Sequence, residues 1–302
     1  MPCRKFLLVV AILLLAITPL THASSYSALV VYGDSLSDNG NLFSAIGYPP
    51  PPYFQGRFSN GPVAAEQLAA ALGVPLLDFA VGGATSGIGN YVDMGTQTTP
   101  GAFGLPGMQL ELAGSAPILT PPLTTTALFM VWGGANDFLV GGSVSTAVAN
   151  IDSIIATLQS DGAQHILVPG MPDLGITPDF FGDPTATAYA QAFNTLLLAS
   201  LPSGVTYADT FNLSQQLSQH PGDFGLTNST DPCFNGSSVC ANPNQYLFWD
   251  GFHPTTAADA ILANQFATAL TPEPSSIVLI GTGISGLMVL VRKGRHKFAR
   301  TE

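Results

Sequence analysis

The sequence predicts an α/β domain: a three-layer α/β/α sandwich built on a parallel sheet. Two observations lead there. Short apolar runs alternate with longer helical stretches, which is the pattern of a parallel sheet covered on both faces. The alternation fills one span of about 250 residues, enough for a single large domain. The first strand is Ala28 to Val31, an apolar run with β-branched residues, as buried parallel strands tend to be. Helix follows from Pro62 to Leu72, then a strand from Pro75 to Phe79 and another from Ala127 to Trp132. The second half repeats the alternation: helix Val144 to Gln159, strand His165 to Val168, helix Thr185 to Leu198, strand Val205 to Ala208, and helix Thr256 to Leu270. No internal repeat is visible. The Gly- and Pro-rich segments Gly40 to Gly56 and Gly89 to Gly107 read as loops beside the strand ends.

Chemistry-bearing residues cluster at those strand ends. Tyr32-Gly33-Asp34-Ser35-Leu36-Ser37-Asp38-Asn39-Gly40-Asn41 follows the first strand and puts the Ser35 hydroxyl at its carboxyl end, where open α/β sheets place reacting groups. A serine needs a base, a group that orients the base, and oxyanion donors. Phe248-Trp249-Asp250-Gly251-Phe252-His253-Pro254-Thr255 sets a carboxylate three residues before a histidine. One turn then holds Asp250 on one imidazole nitrogen of His253, leaving the other for Ser35. Trp132-Gly133-Gly134-Ala135-Asn136-Asp137 brings the Asn136 amide to another strand end, and Asp78-Phe79-Ala80-Val81-Gly82-Gly83 offers a bare backbone N–H, with Gly83 the favoured donor. Taken singly, Ser35 and His253 also fit capping positions, and Asn136-Asp137 a turn. The four blocks in this order are what the separate readings leave unexplained.

In that order the blocks resemble the GDSL family of lipases and esterases, also called SGNH hydrolases, over roughly Ala28 to Leu270. Gly56-Arg57-Phe58-Ser59-Asn60-Gly61-Pro62 further resembles its extracellular lipase-like subgroup. The resemblance implies a flavodoxin-like α/β/α fold and a triad of Ser35, His253 and Asp250. It also implies an oxyanion hole from the N–H groups of Ser35 and Gly83 with the Asn136 amide, and no cofactor or metal. Two positions depart from the family pattern: Tyr32 stands where Phe is usual, and Asp78 where Asn is usual, behind the Gly83 loop. An α/β-hydrolase nucleophile elbow is excluded at Ser35, because Ser37 occupies the place of its second glycine.

Both ends of the chain read as addresses. Arg4-Lys5, apolar Phe6 to Ile17 and Thr21-His22-Ala23 form a signal peptide over 1–23, with cleavage after Ala23. The hydrolase domain is then 24–271. In 272–302, Pro272-Glu273-Pro274, an apolar run from Ile277 to Val291 and a basic cluster from Arg292 to Arg300 resemble the Pro-Glu-Pro (PEP-CTERM) sorting signal of Gram-negative bacteria that make exopolysaccharide. That signal implies a transient inner-membrane segment and an exosortase-like processing enzyme as partner. The other reading is a permanent single-pass anchor; both put the domain outside the cytoplasm.

Of 8 lysines and arginines, only Arg57 lies in 24–271, and of 19 acids only Glu273 and Glu302 lie beyond it. Seventeen carboxylates thus face one guanidinium, a formal charge of about −16. Nucleic acid is excluded as a natural partner, since nothing is available to neutralise phosphates. Cys233 and Cys240 bracket a short turn-rich segment and read as a disulfide formed in an oxidising compartment; no nearby histidine completes a zinc set. The expected reaction is hydrolysis of an acyl ester. Two further readings stand beside it: a carbohydrate O-acetyl esterase acting on exopolysaccharide, and a non-catalytic envelope or matrix protein. Tyr48-Pro49-Pro50-Pro51-Pro52-Tyr53-Phe54 reads equally as the lining of an acyl groove and as a stiff surface loop.

Overall fold

The computed structural model describes residues 26–271. The expected signal peptide and the tail from 272 lie outside the described residues. In chain order the main elements are β1 (Leu29–Gly33), α1 (Asn41–Ile46), α2 (Ala64–Leu72), β2 (Leu76–Asp78), α3 (Met108–Ser115), β3 (Leu128–Trp132), α4 (Ala135–Leu139) and α5 (Val144–Ser160), with a single helical turn at Leu123–Thr126 ahead of β3. They continue with β4 (His165–Pro169), α6 (Pro184–Ser200), β5 (Val205–Ala208), α7 (Thr210–Gln219), β6 (Asn228–Pro232), β7 (Tyr246–Phe248) and α8 (Thr256–Leu270). Five strands form one parallel sheet in the order β2-β1-β3-β4-β5. The chain order reverses between β1 and β3. In open α/β sheets, the crevice outside the strand ends at such a reversal is where ligands bind.

Both faces of the sheet are covered. Val30, Tyr32, Phe129, Val131, Ile166 and Val168 point to one side and pack with Met108, Ile151, Ile155 and Phe193 of α3, α5 and α6. Leu29, Val31, Leu128, Met130 and Trp132 point to the other and pack with Leu68, Leu217, Leu262 and Phe266 of α2, α7 and α8. Successive strand residues alternate sides, yet all of β1 and β3 is buried; this is why these strands are apolar at every position.

Local chemistry starts the helices. Ser143 Oγ accepts from Thr146 N at 3.1 Å ahead of α5, and α5 buries Ala147, Val148, Ile151, Ile154, Ile155 and Leu158 at helical spacing. Asp183 accepts from Thr185 N at 2.8 Å with Pro184 opening α6. Glu66 accepts from Val63 N at 3.0 Å at the start of α2 and pairs with Arg57 at 2.7 Å. The one cation of the domain therefore neutralises a helix-capping acid and is not available to a substrate.

Besides the single-turn helix Leu123–Thr126, four helices and one strand pair were not expected. α1 lies inside the segment read as loop, and α3, α4 and α7 also went unread. β6 and β7 form a small two-stranded sheet that carries the chain toward His253. Cys233 and Cys240 are joined by a disulfide just beyond β6. Among the described residues no helix is long and apolar enough to cross a membrane.

Candidate active site

Ser35 lies two residues beyond β1, in a turn where the Asp34 carbonyl accepts from Ser37 N and Asp38 N, each at 3.0 Å. The turn requires glycine at 33, because a Cβ there would stand 2.5 Å from the Trp132 carbonyl oxygen. His253 arrives from the far end of the chain, in the loop between β7 and α8. Its Nε2 is 2.8 Å from Ser35 Oγ, and its Nδ1 is 3.0 and 2.9 Å from the two oxygens of Asp250. With the proton on Nδ1 donated to the carboxylate, Nε2 is left to accept from the serine hydroxyl.

Asp250 is held from several directions. Its Oδ1 accepts from Phe252 N at 2.8 Å and His253 N at 2.7 Å, and its Oδ2 accepts from the Tyr53 hydroxyl at 2.7 Å. Burial alone would raise its pKa, but the His253 charge and these donors outweigh it and hold the carboxyl at about 2. It is therefore ionised at neutral pH. The imidazole packs against two rings, tilted against Phe58 and edge-on to Phe252, with ring centroids at 4.8 and 5.5 Å.

Gly83 and Asn136 line the same cleft as Ser35 and His253. Among the described residues neither Ser35 N nor Gly83 N donates to another protein group. Asn136 Nδ2 donates one hydrogen to the Ala84 carbonyl at 3.0 Å, leaving its other amide hydrogen free. The structure thus brings Ser35, Gly83, Asn136, Asp250 and His253 together. The cleft measures about 530 Å³, and its walls include Tyr48, Tyr53, Phe58, Tyr91, Phe180 and Phe234. The proline-rich loop therefore contributes to the cleft wall. Phe234, next to the disulfide, packs on Trp249 at 5.8 Å and edge-on to Tyr53 at 5.7 Å.

Buried carboxylates behind the cleft fix its loops. Glu111 accepts from Gly33 N at 3.0 Å and Val81 N at 3.1 Å, tying the end of β1 to the segment after β2. Asp38 accepts from Gly40, Asn41 and Leu42 at the start of α1 and from Gly82 N at 2.7 Å. Asp137 accepts from Ser86 N at 2.8 Å and Gln97 Nε2 at 2.6 Å. Asp78 uses both oxygens, toward Asn39 N at 3.1 Å and Ala80 N at 2.9 Å. An asparagine has one side-chain oxygen to offer there, so this departure from the family pattern has a local use. None of these supporting roles was read from the sequence for Tyr53, Glu111, Asp38 or Asp137. The one available signal was an acid inside an apolar run, as in Leu110-Glu111-Leu112.

The same acids give the domain an unusual pH response. Burial pushes Asp34 up to about 7, and Asp78, Glu111 and Asp259 well above the ordinary carboxylate value; Asp38 and Asp137 are also raised, against the opposing pull of their hydrogen-bond donors. The folded state then keeps protons that the unfolded chain loses near pH 4. Stability is fully present below that value and declines as pH rises through the raised pKa values. The melting temperature should accordingly be higher at pH 5.5 than at pH 8, and a steady rise over that interval would contradict these assignments.

A parallel sheet with a serine and a histidine meeting at its topological switch point defines a class of α/β hydrolytic enzymes, and the comparisons narrow it. The family model described as GDSL-like Lipase/Acylhydrolase matches residues 29–266, and the chain belongs to that family. It is a hydrolase acting on ester bonds. The chain is 26% identical over 330 residues to a phosphatidylcholine-sterol acyltransferase of Aeromonas hydrophila, covering 88% of this chain and 96% of that protein. It is 30% identical over 281 residues to a thermolabile hemolysin of Vibrio parahaemolyticus, covering 78% of this chain and 62% of that protein. A solved lipolytic protein of the G-D-S-L family from Veillonella parvula shares the fold, with TM-score 0.50 at 15% identity over 82% of this chain and 99% of that one.

Proposed function

We propose that the protein cleaves carboxylic esters through an acyl-enzyme on Ser35, with His253 as general base and Asp250 as its orienting acid. The observation that carries the reading is the 2.8 Å contact between His253 Nε2 and Ser35 Oγ, with Asp250 on the other ring nitrogen. As Ser35 Oγ bonds to the ester carbonyl carbon, its proton passes to Nε2, and Asp250 stabilises the imidazolium. The carbonyl oxygen becomes an oxyanion held by Ser35 N, Gly83 N and Asn136 Nδ2. His253 returns the proton to the leaving alcohol. Water then attacks the acyl-enzyme with the same proton path, releasing the acid and regenerating Ser35.

The aromatic wall of the cleft favours an acyl or alcohol group larger than acetyl, since rings recover transfer energy only from apolar surface they cover. A chain-length series of p-nitrophenyl esters tests this: kcat/KM should peak at medium chains. Activity confined to the acetate would instead favour the O-acetyl esterase reading. The proposal also takes the domain to act outside the cytoplasm, which the Cys233–Cys240 disulfide supports. The tail from 272 is taken as a transient membrane address read by a sorting enzyme. Mass spectrometry of the mature protein should find its basic end removed, and an intact Arg292 to Arg300 segment would point to a plain anchor.

A further inference from the structure

We propose that Asn90 is the positioning residue that aims the Gly83 N–H into the cleft, acting from behind through the Gly82 carbonyl. The inference rests on the reading of Gly83 as an oxyanion donor. The cis peptides among the described residues all precede proline, so the peptide joining Gly82 to Gly83 is trans. In a trans peptide the carbonyl and the following N–H point in opposite directions. Whatever fixes the Gly82 oxygen therefore fixes the Gly83 hydrogen in the reverse sense.

Asn90 is wholly buried and its amide is fully used. Nδ2 donates to the Gly82 carbonyl at 3.0 Å and to the Pro106 carbonyl at 3.1 Å, while Oδ1 accepts from Val92 N at 2.9 Å. Two carbonyls on one side and an N–H on the other settle which end of the amide is which. The preceding peptide is pinned as well, since Gly82 N donates to Asp38 Oδ2 at 2.7 Å. Gly83 N is the remaining donor of this pair. It has no protein partner among the described residues, and its residue lines the cleft. Gly83 has φ +82°, and a Cβ on it would stand 2.4 Å from Asn90 Oδ1. Only glycine therefore accommodates both the left-handed turn and the close approach of Asn90. A donor fixed before substrate arrives needs no reorganisation when charge develops, which is how such groups lower a barrier.

The alternative is that Asn90 merely staples the loop, because it also holds Pro106. Asp93 is the internal control: it accepts from Phe103 N at 3.0 Å and Leu105 N at 3.1 Å, bracing the same loop without touching the Gly82–Gly83 peptide. Asn90→Ser retains an acceptor for Val92 N but is too short to reach the Gly82 carbonyl. Its kcat on a medium-chain ester should fall about 10- to 100-fold with KM within about twofold, the pattern of a lost transition-state interaction. The inhibition constant of a trifluoromethyl ketone, whose adduct places an oxyanion on the same donors, should rise by the same factor. Asp93→Ala should lower the melting temperature while shifting kcat and that constant by less than about threefold. If Asn90→Ser does not fold, Asn90→Asp, equal in shape and measured at pH 8, should show the same paired losses. Folded Asn90 variants with wild-type kcat and ketone affinity would overturn the inference, as would equal paired losses in Asp93→Ala. A fluorophosphonate adduct on Ser35 in all the proteins keeps these outcomes separate from failure of the serine-enzyme reading, which its absence from wild type would signal.

Discussion

Replacing Ser35 with alanine is expected to remove ester turnover, with kcat falling on the order of 10⁶-fold, while the fold is kept. The size follows from the mechanism: without Oγ there is no acyl-enzyme, and what remains is the small acceleration that bound water gains from the oxyanion donors alone. The intact fold follows from the contacts. The Ser35 hydroxyl touches His253 Nε2, whereas the turn that carries it is closed by backbone hydrogen bonds to Asp34. His253 stays in place through Asp250 and the Phe58 and Phe252 rings. Thermal melting and circular dichroism of Ser35→Ala should match the wild type. Folded Ser35→Ala protein with near-normal esterase activity would remove the triad assignment altogether.

The second large effect is expected at Asn136. Asn136→Ala should lower kcat by about 10²- to 10³-fold with little change in KM, as loss of one oxyanion donor does. A smaller stability loss of about 1 kcal/mol should accompany it, because Nδ2 also donates to the Ala84 carbonyl and so ties the Gly83 loop to the start of α4. The two contributions separate experimentally: the structural one appears in the melting temperature, the catalytic one in the kcat of the folded protein. A rise in KM at unchanged kcat would instead place Asn136 in ground-state binding.

All five strands of the parallel sheet were legible because each is a short run of apolar or β-favouring residues, wholly buried in β1 and β3 and partly buried in β2 and β5, and because glycine-bearing turns follow those that carry the site residues. The approach of Ser35, Gly83 and Asn136 was legible for the same reason, since the parallel strands β1, β2 and β3 deliver their carboxyl ends to one edge; His253, which follows β7 outside that sheet, was legible from its spacing to Asp250. The missed helices failed for distinct physical reasons. α1 is six residues long between Gly40 and Gly47, both at positive φ, and it depends on the Asp38 carboxylate at its start. α7 is rich in serine and glutamine and buries only Leu213 and Leu217 among its large apolar residues. α3 carries the buried Glu111, which a hydropathy reading takes for a solvent-facing position.

The formal charge near −16 says nothing of where the acids lie. Asp34, Asp38, Asp93, Glu111, Asp137, Asp173, Asp250 and Asp259 are all buried. Many of the acids behind that charge are therefore internal acceptors for backbone N–H groups. The count was available from composition, but the locations depended on contacts between residues far apart in the chain. Tyr53 is the clearest case, since its partner Asp250 lies 197 residues away.

Everything proposed for the site depends on Ser35 being the nucleophile activated by His253. Wild-type protein treated with a fluorophosphonate, digested and mapped by mass spectrometry tests it most directly. One adduct is expected, on the peptide carrying Gly33-Asp34-Ser35-Leu36 and on Ser35 within it, lost when His253 is replaced by alanine. An adduct on any other serine, or labelling of Ser35 that survives His253→Ala at an undiminished rate, would contradict it.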